Sequence, residues 1–93
     1  MNLAEATAQI NQLARLGWVF VTKHCELRMS ERGVDWMDLE AALCNGKATD
    51  LVLIEEQGQW RVTVQGRDAS RHLLTIQAAL PEDLRSLVCI TVY

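Results

Sequence analysis

The sequence predicts an α+β fold in which about three N-terminal helices pack on one face of a four-stranded antiparallel β-sheet. In the first half of the chain, apolar residues recur at the helical spacing, whereas in the second half they alternate with polar residues. The apolar face of such a sheet has to be covered, and only the helices of the first half can cover it. A chain of 93 residues has room for one core, so we expect a single domain over residues 1–93.

The helical half divides into segments with clear end signals. Residues 3–16 have the pattern of an amphipathic helix that ends at a glycine. Thr22 is a good N-cap for a second helix, which Gly33 ends, and Asp35 caps a third helix that runs to about Asn45. The short apolar run between the first two helices is interpreted as an extension of the chain.

The second half contains four runs with strand character, the first two separated by a Gln-Gly turn signal. An antiparallel meander is the simplest arrangement of four successive strands. Its polar side chains would form an open face on the side away from the helices. The four runs are residues 51–56, 60–66, 72–79 and 86–93, and the open face would carry Arg61, Thr63, Gln65, Thr75, Gln77, Thr91 and Tyr93.

Composition and charge narrow the function classes. No apolar run approaches the roughly 20 residues that cross a bilayer, and the start of the chain lacks a signal-like segment. We therefore expect a cytoplasmic protein with no membrane partner. The net charge of −3 weighs against a nucleic-acid binder, although Lys23, Arg28 and Arg32 form a local cluster of cations.

Neither a metal nor another cofactor is expected. The three cysteines are widely spaced without a CxxC pair, and the chain lacks the HxH and HExxH patterns of metal ligands. The glycines are scattered at turns and form no phosphate-binding loop. We therefore expect three reduced thiols and no metal site.

The most distinctive pattern lies on the second helix. His24, Arg28 and Arg32 follow one another at i, i+4 steps, which places an imidazole and two guanidinium groups on one helix face. Such a stripe can bind an anion or a phosphate group. It can also be an ordinary solvated helix face.

Two motifs carry a resemblance to a known family. The first is His24-x3-Arg28-Met29-x2-Arg32-Gly33-Val34, and the second is the closing Thr91-Val92-Tyr93. With them, the segment from about Thr22 to Tyr93 resembles the small bacterial family called domain of unknown function 4258. Its order of helices and meander is similar to that of the RelE-like and MqsR-like ribonuclease toxins of toxin–antitoxin modules, and more broadly to barnase-type nucleases. The resemblance implies a RelE/barnase-like two-layer fold and, by fold analogy alone, a toxin-type ribonuclease.

If the chain cleaves RNA without a metal, particular residues would have defined roles in the reaction. The reaction needs a base, an acid and cations that stabilise the phosphorane. His24 would be the base or acid and Arg28 the phosphate clamp, with Tyr93 or His72 as the second proton-transfer group. The RNA would be bound by further cations, Arg32, Arg61 and Arg67.

Each of these residues also has a structural interpretation. His24 can pack or hydrogen-bond to a strand, Arg28 can pair with a carboxylate, and Arg32 can stabilise the C-terminus of its helix. His72 lies in a polar loop, where a solvated histidine is common.

The competing function is a non-catalytic interaction domain. A free sheet edge can bind a partner's strand or a second copy of the chain, and Trp18 or Trp36 would anchor such an interface if exposed. The partners considered are therefore RNA, an antitoxin protein, or the chain itself.

Overall fold

The computed structural model describes all of residues 1–93 as three helices packed on one face of a five-stranded sheet. A single 3-10 turn, Glu55–Gln57, connects the second and third strands. None of the helices is long and apolar enough to cross a membrane. The helices are α1 (Leu3–Leu16), α2 (Lys23–Arg32) and α3 (Trp36–Asn45), and the strands are β1 (Val19–Val21), β2 (Lys47–Ile54), β3 (Gln59–Arg67), β4 (Leu73–Pro81) and β5 (Leu87–Val92).

The predicted helix ends are confirmed. The Thr22 hydroxyl accepts a hydrogen bond from the backbone N–H of Cys25 at 3.0 Å, which caps α2. Gly33 ends α2 in the left-handed conformation, with φ 66°. Asp35 and Asp38 form a reciprocal capping box at the start of α3, with N···O distances of 2.9 and 3.1 Å.

The sheet has the order β1-β5-β4-β3-β2, and β2 to β5 form the antiparallel meander that the sequence predicts. The prediction of four strands was wrong by one. The apolar run after α1 is the strand β1, which pairs in parallel with β5 through Val19 and Leu87 and through Val21 and Cys89. A run of three residues shows no alternation, and its partner lies at the far end of the chain, so no local pattern could reveal the pairing.

The core lies between the helices and one face of the sheet. Nineteen buried apolar residues form one cluster to which all three helices contribute. The helix α2 reaches it through Cys25 and Met29 and packs on β5. The helix α3 crosses β3 so closely that a Cβ at Gly66 would overlap the backbone carbonyl of Ala42.

The opposite face of the sheet carries no helix. One cross-strand row on this face consists mainly of apolar residues, with a single arginine in β3. The next row is polar, and the Gln77 amide donates to the Thr63 hydroxyl at 2.8 Å within it. The first row is Phe20, Val88, Ala79, Arg61 and Val52, and the second is Thr91, Gln77, Thr63 and Asp50.

Candidate functional site

A polar cleft of about 520 Å³ lies at the end of the sheet where β5 finishes, between the α2–α3 junction and the β3–β4 turn. Its volume is within the range of small-ligand sites. It brings together five side chains that can carry charge or transfer a proton, and these come from four separate parts of the chain. They are Arg32, Asp38, Asp68, His72 and Tyr93.

The β3–β4 turn holds His72 against Asp68. The Oδ1 atom of Asp68 accepts the backbone N–H groups of Ser70 at 2.9 Å and of His72 at 2.8 Å. Its Oδ2 atom lies 3.7 Å from Nδ1 of the His72 ring. Arg71 completes the turn with a positive φ of 69°. Nδ1 thus faces the carboxylate at a distance longer than a hydrogen bond, and the His72 side chain is 81% exposed.

Asp38 ties this turn to the start of α3. Its Oδ1 atom accepts the backbone N–H of Ala69 at 3.1 Å, while Oδ2 accepts that of Asp35 at 3.1 Å. The Asp35 N–H is the main reason why the pKa of Asp38 lies below its usual value, and the Ala69 N–H and the nearby His72 act in the same direction. Asp38 is therefore ionised at neutral pH, with both oxygens engaged by backbone donors.

Arg32 and Tyr93 complete the cleft from the α2 and β5 sides. Arg32 is the last residue of α2, is exposed, and makes no ion pair. Tyr93 follows β5, and its backbone N–H donates to the carbonyl of Thr75 at 2.9 Å, which fixes its position beside β4. The Tyr93 residue is half exposed. A cation and a phenol thus line the same cleft as the exposed imidazole.

The other two residues of the predicted helical stripe lie outside this cleft. His24 is exposed on the first turn of α2, and Arg28 is partly buried with its guanidinium 3.8 Å from the Glu31 carboxylate. Neither side chain makes a hydrogen bond or an ion pair with the sheet. Of the residues predicted to be catalytic, the cleft contains Tyr93 but neither His24 nor Arg28.

A second cleft, of about 400 Å³, adjoins the first and shares Leu73 with it. It contains Lys47 and Arg67. The backbone N–H of Arg67 donates to Oδ1 of Asn45 at 2.9 Å. Arg61 lies on the same face of β3, but six residues from Arg67, a separation of about 20 Å along a strand. The predicted RNA-binding arginines are therefore divided, with Arg32 and Arg67 in adjoining clefts and Arg61 in neither.

A family model, described as a domain of unknown function (DUF4258), matches residues 21–93. The chain belongs to the DUF4258 family. The matched segment begins at the last residue of β1 and includes every residue of the polar cleft, whereas α1 lies before it. No curated protein and no solved structure matches the chain.

Within the DUF4258 segment, sequence reasoning missed Asp38, Asp68 and Lys47 as site residues. Asp38 fits the first turn of a helix, where an acidic residue is common, and that position gives no sign of its contact with the β3–β4 turn. The local signal for Asp68 was available, because an aspartate at the start of a short polar loop commonly accepts hydrogen bonds from backbone groups further along that loop. No local signal marks Lys47, since the second cleft forms only when β2 and β3 pair.

Proposed function

We propose that this DUF4258 chain is a toxin-type, metal-independent endoribonuclease and that the polar cleft is its active site. The observation that carries this proposal is the contact between His72 and Asp68 in a cleft that also holds Arg32 and Tyr93. The catalytic base is thereby assigned to His72 rather than to His24.

The proposed reaction is attack of an RNA 2′-hydroxyl on the adjacent phosphate. Nε2 of His72 takes the hydroxyl proton, and the guanidinium of Arg32 stabilises the negative charge of the phosphorane. The phenol of Tyr93 gives its proton to the departing 5′-oxygen. The products are a 2′,3′-cyclic phosphate and a free 5′-hydroxyl, so no bound water or metal is required for this step.

The two carboxylates support this chemistry although RNA is itself negative. Asp68 orients the imidazole of His72 and stabilises the imidazolium that forms when the ring takes a proton. Both Asp38 and Asp68 accept two backbone hydrogen bonds, which partly neutralise their charge.

The adjoining cleft supplies a path for the rest of the RNA. Arg67 and Lys47 can contact the phosphates on one side of the scissile bond, and Leu73, which is 54% exposed, offers an apolar contact for a base between the two clefts. These local cations compensate for the overall charge of −3.

A toxin-type role means that the proposed ribonuclease would be controlled by a second protein in the cell. The enzyme would act on RNA in the cytoplasm and would be held inactive by an antitoxin protein. This part rests on the similarity in element order to RelE-like, MqsR-like and barnase-type proteins, which is fold analogy.

The test is cleavage of a labelled single-stranded RNA by purified protein in the presence of EDTA. We expect wild type to produce 2′,3′-cyclic phosphate ends, and His72→Ala and Arg32→Ala to lose about 100-fold or more in rate. His24→Ala and Arg28→Ala are matched controls, because they replace the same residue types at positions of α2 that lie outside the polar cleft. Both should stay within about threefold of wild type.

Two results would overturn the proposal. The first is loss of cleavage in His24→Ala while His72→Ala still cleaves RNA. That result would place the active site at His24 and Arg28 on α2. The second is intact RNA with folded wild type. That result would favour the non-catalytic interaction domain, for which the 55% exposure of Trp18 is the supporting observation.

A further inference from the structure

The two edges of the sheet differ in their protection against strand addition. The edge strand β2 carries Lys47 and Asp50, its register shifts between Ala48 and Asp50, and the Ala48 N–H donates to the Thr7 hydroxyl at 2.9 Å. Charges, bulges and covering groups of this kind discourage pairing with another chain. The edge strand β1, with the sequence Val-Phe-Val, has no charge, no proline and no bulge.

The outer hydrogen-bonding groups of β1 are free. On the inner side, the Leu87 N–H donates to the Trp18 carbonyl at 3.0 Å and the Thr22 N–H donates to the Cys89 carbonyl at 3.1 Å. Because backbone groups alternate in direction along a strand, those of Val19 and Val21 point away from β5. No hydrogen bond outside the ladder involves them. In the isolated chain they face solvent, and an added extended strand could pair with all four of them at once.

An apolar surface surrounds this edge. Leu16, Trp18, Phe20 and Trp36 are between 47% and 61% exposed. Trp18 lines an apolar cleft of about 440 Å³ against α1, and Val19 and Trp36 line a smaller one of about 90 Å³ against α3. The four exposed residues offer roughly 450 Å² of largely apolar surface, more than half of the roughly 800 Å² per partner that a stable interface buries.

We propose that β1 pairs with β1 of a second copy of this chain and joins the two sheets into one. The segment Val-Phe-Val reads the same in both directions, so an antiparallel pairing centred on Phe20 places valine beside valine at both ends. The two-fold axis passes between the two Phe20 residues, perpendicular to the sheet, as an isologous interface requires. The strand is thus its own complement.

The register of this pairing follows from the unpaired backbone N–H and C=O groups of Val19 and Val21. Val19 of each copy exchanges two hydrogen bonds with Val21 of the other. The two Phe20 residues form a pair without mutual hydrogen bonds, which is the arrangement that brings side chains closest. They lie on the open face of the sheet, while Trp36 flanks the pairing on the helical side. This dimer is independent of the proposed ribonuclease activity.

The first test is sedimentation of wild type, Phe20→Lys and Val52→Lys over a concentration range up to about 200 µM. Phe20 and Val52 lie at opposite ends of one cross-strand row and are 52% and 48% exposed. We expect wild type and Val52→Lys to form the same dimer, and Phe20→Lys to weaken it at least about tenfold. A monomeric wild type, or a dimer broken by Val52→Lys but not by Phe20→Lys, would overturn the proposal.

The second test fixes the register. Cross-strand neighbours at the two-fold axis have Cβ atoms about 4.5–5.5 Å apart, close enough for a disulfide after small adjustments. With oxidised glutathione as oxidant, Phe20→Cys should therefore give a covalent dimer while Val52→Cys does not. Cys25 and Cys89 are buried and should not contribute, and both variants carry Cys44→Ser so that the partly exposed third thiol cannot form the link. A dimer that Phe20→Cys fails to link, or that Val52→Cys links equally well, would rule out this pairing.

Discussion

Asp68 contacts His72 through both carboxylate oxygens, one accepting its backbone N–H at 2.8 Å and the other lying 3.7 Å from Nδ1 of the ring. Asp68 therefore holds the backbone of His72 by a hydrogen bond and places a carboxylate oxygen beside its exposed ring. Since the same turn is tied to α3 by the Ala69–Asp38 hydrogen bond, the imidazole is supported by two elements. This arrangement is what distinguishes His72 from His24, for which the structure shows no such contact.

Replacing Asp68 by Asn should slow the proposed RNA cleavage while leaving substrate binding nearly unchanged. The amide oxygen can still accept the backbone hydrogen bonds, but the charge beside Nδ1 is lost, so we expect kcat to fall about tenfold or more with KM within about twofold. Asp83→Asn is the matched control, because Asp83 accepts the Arg85 N–H at 3.1 Å in a similar turn without a histidine. Equal losses in both variants would argue for a purely structural effect.

The salt dependence of RNA binding should identify the cations of the two clefts. Each phosphate contact removed from a single strand lowers the slope of log K against log salt by about 0.7. Arg32→Ala and Arg67→Ala should each show that change, whereas Arg61→Ala and Arg28→Ala should not. A change with Arg61→Ala alone would place the RNA across the open sheet face instead.

The stabilising contribution of Asp38 should be lost in acid. Its pKa is lowered by folding, so its contribution is fully present above the unfolded value of about 3.9 and is lost as the pH falls through the folded value below it. The free energy of unfolding of wild type should exceed that of Asp38→Ala by a constant amount from pH 7 down to about pH 4, and by less as the pH falls further. Urea denaturation at several pH values measures this difference, and a constant difference across the range would contradict the assignment.

Gly66→Ala should destabilise the fold. The new methyl group would meet the backbone carbonyl of Ala42, so α3 would have to move away from β3. Overpacking of this kind costs about 1–3 kcal/mol or more. Urea denaturation measures it, with Gln65→Ala, on the open face of the same strand, as a control expected to stay within about 0.5 kcal/mol of wild type. Equal stability of the two variants would show that the contact between α3 and β3 can relax.

The three thiols should differ in reactivity. Burial raises the pKa of Cys25 and Cys89, both fully buried, and to some extent that of the partly exposed Cys44. A thiol reagent at about pH 8 should label Cys44 first in the native protein and all three residues after unfolding. Early labelling of Cys89 would mean that β5 opens readily.

Helix boundaries were predictable because their signals are local. Thr22, Gly33 and Asp35 act through hydrogen bonds or dihedral angles within a few residues, so the residue types alone specify the ends of α2 and α3. The meander β2 to β5 was predictable for the same reason, from alternation and turn residues. The strand β1 was not, because its pairing with β5 depends on residues from opposite ends of the chain.

The candidate site was predictable only in part. Arg32, Tyr93 and His72 were each identified from residue type, but their convergence depends on how α2 crosses the end of β5 and how the β3–β4 turn meets α3. The i, i+4 spacing of His24 with Arg28 describes one helix face and carries no information about what that face contacts. Long-range packing therefore determines which end of the stripe reaches the cleft.

The measurement that tests the location of the site most directly is amide NMR of the protein titrated with a short RNA whose nucleotides are 2′-deoxy at the scissile position. Binding can then be observed without cleavage. We expect the largest shift changes at His72, Leu73 and Tyr93, extending to Arg67 in the second cleft. Changes centred on His24 and Arg28, or none at concentrations of RNA up to about 1 mM, would show that the polar cleft is not an RNA site.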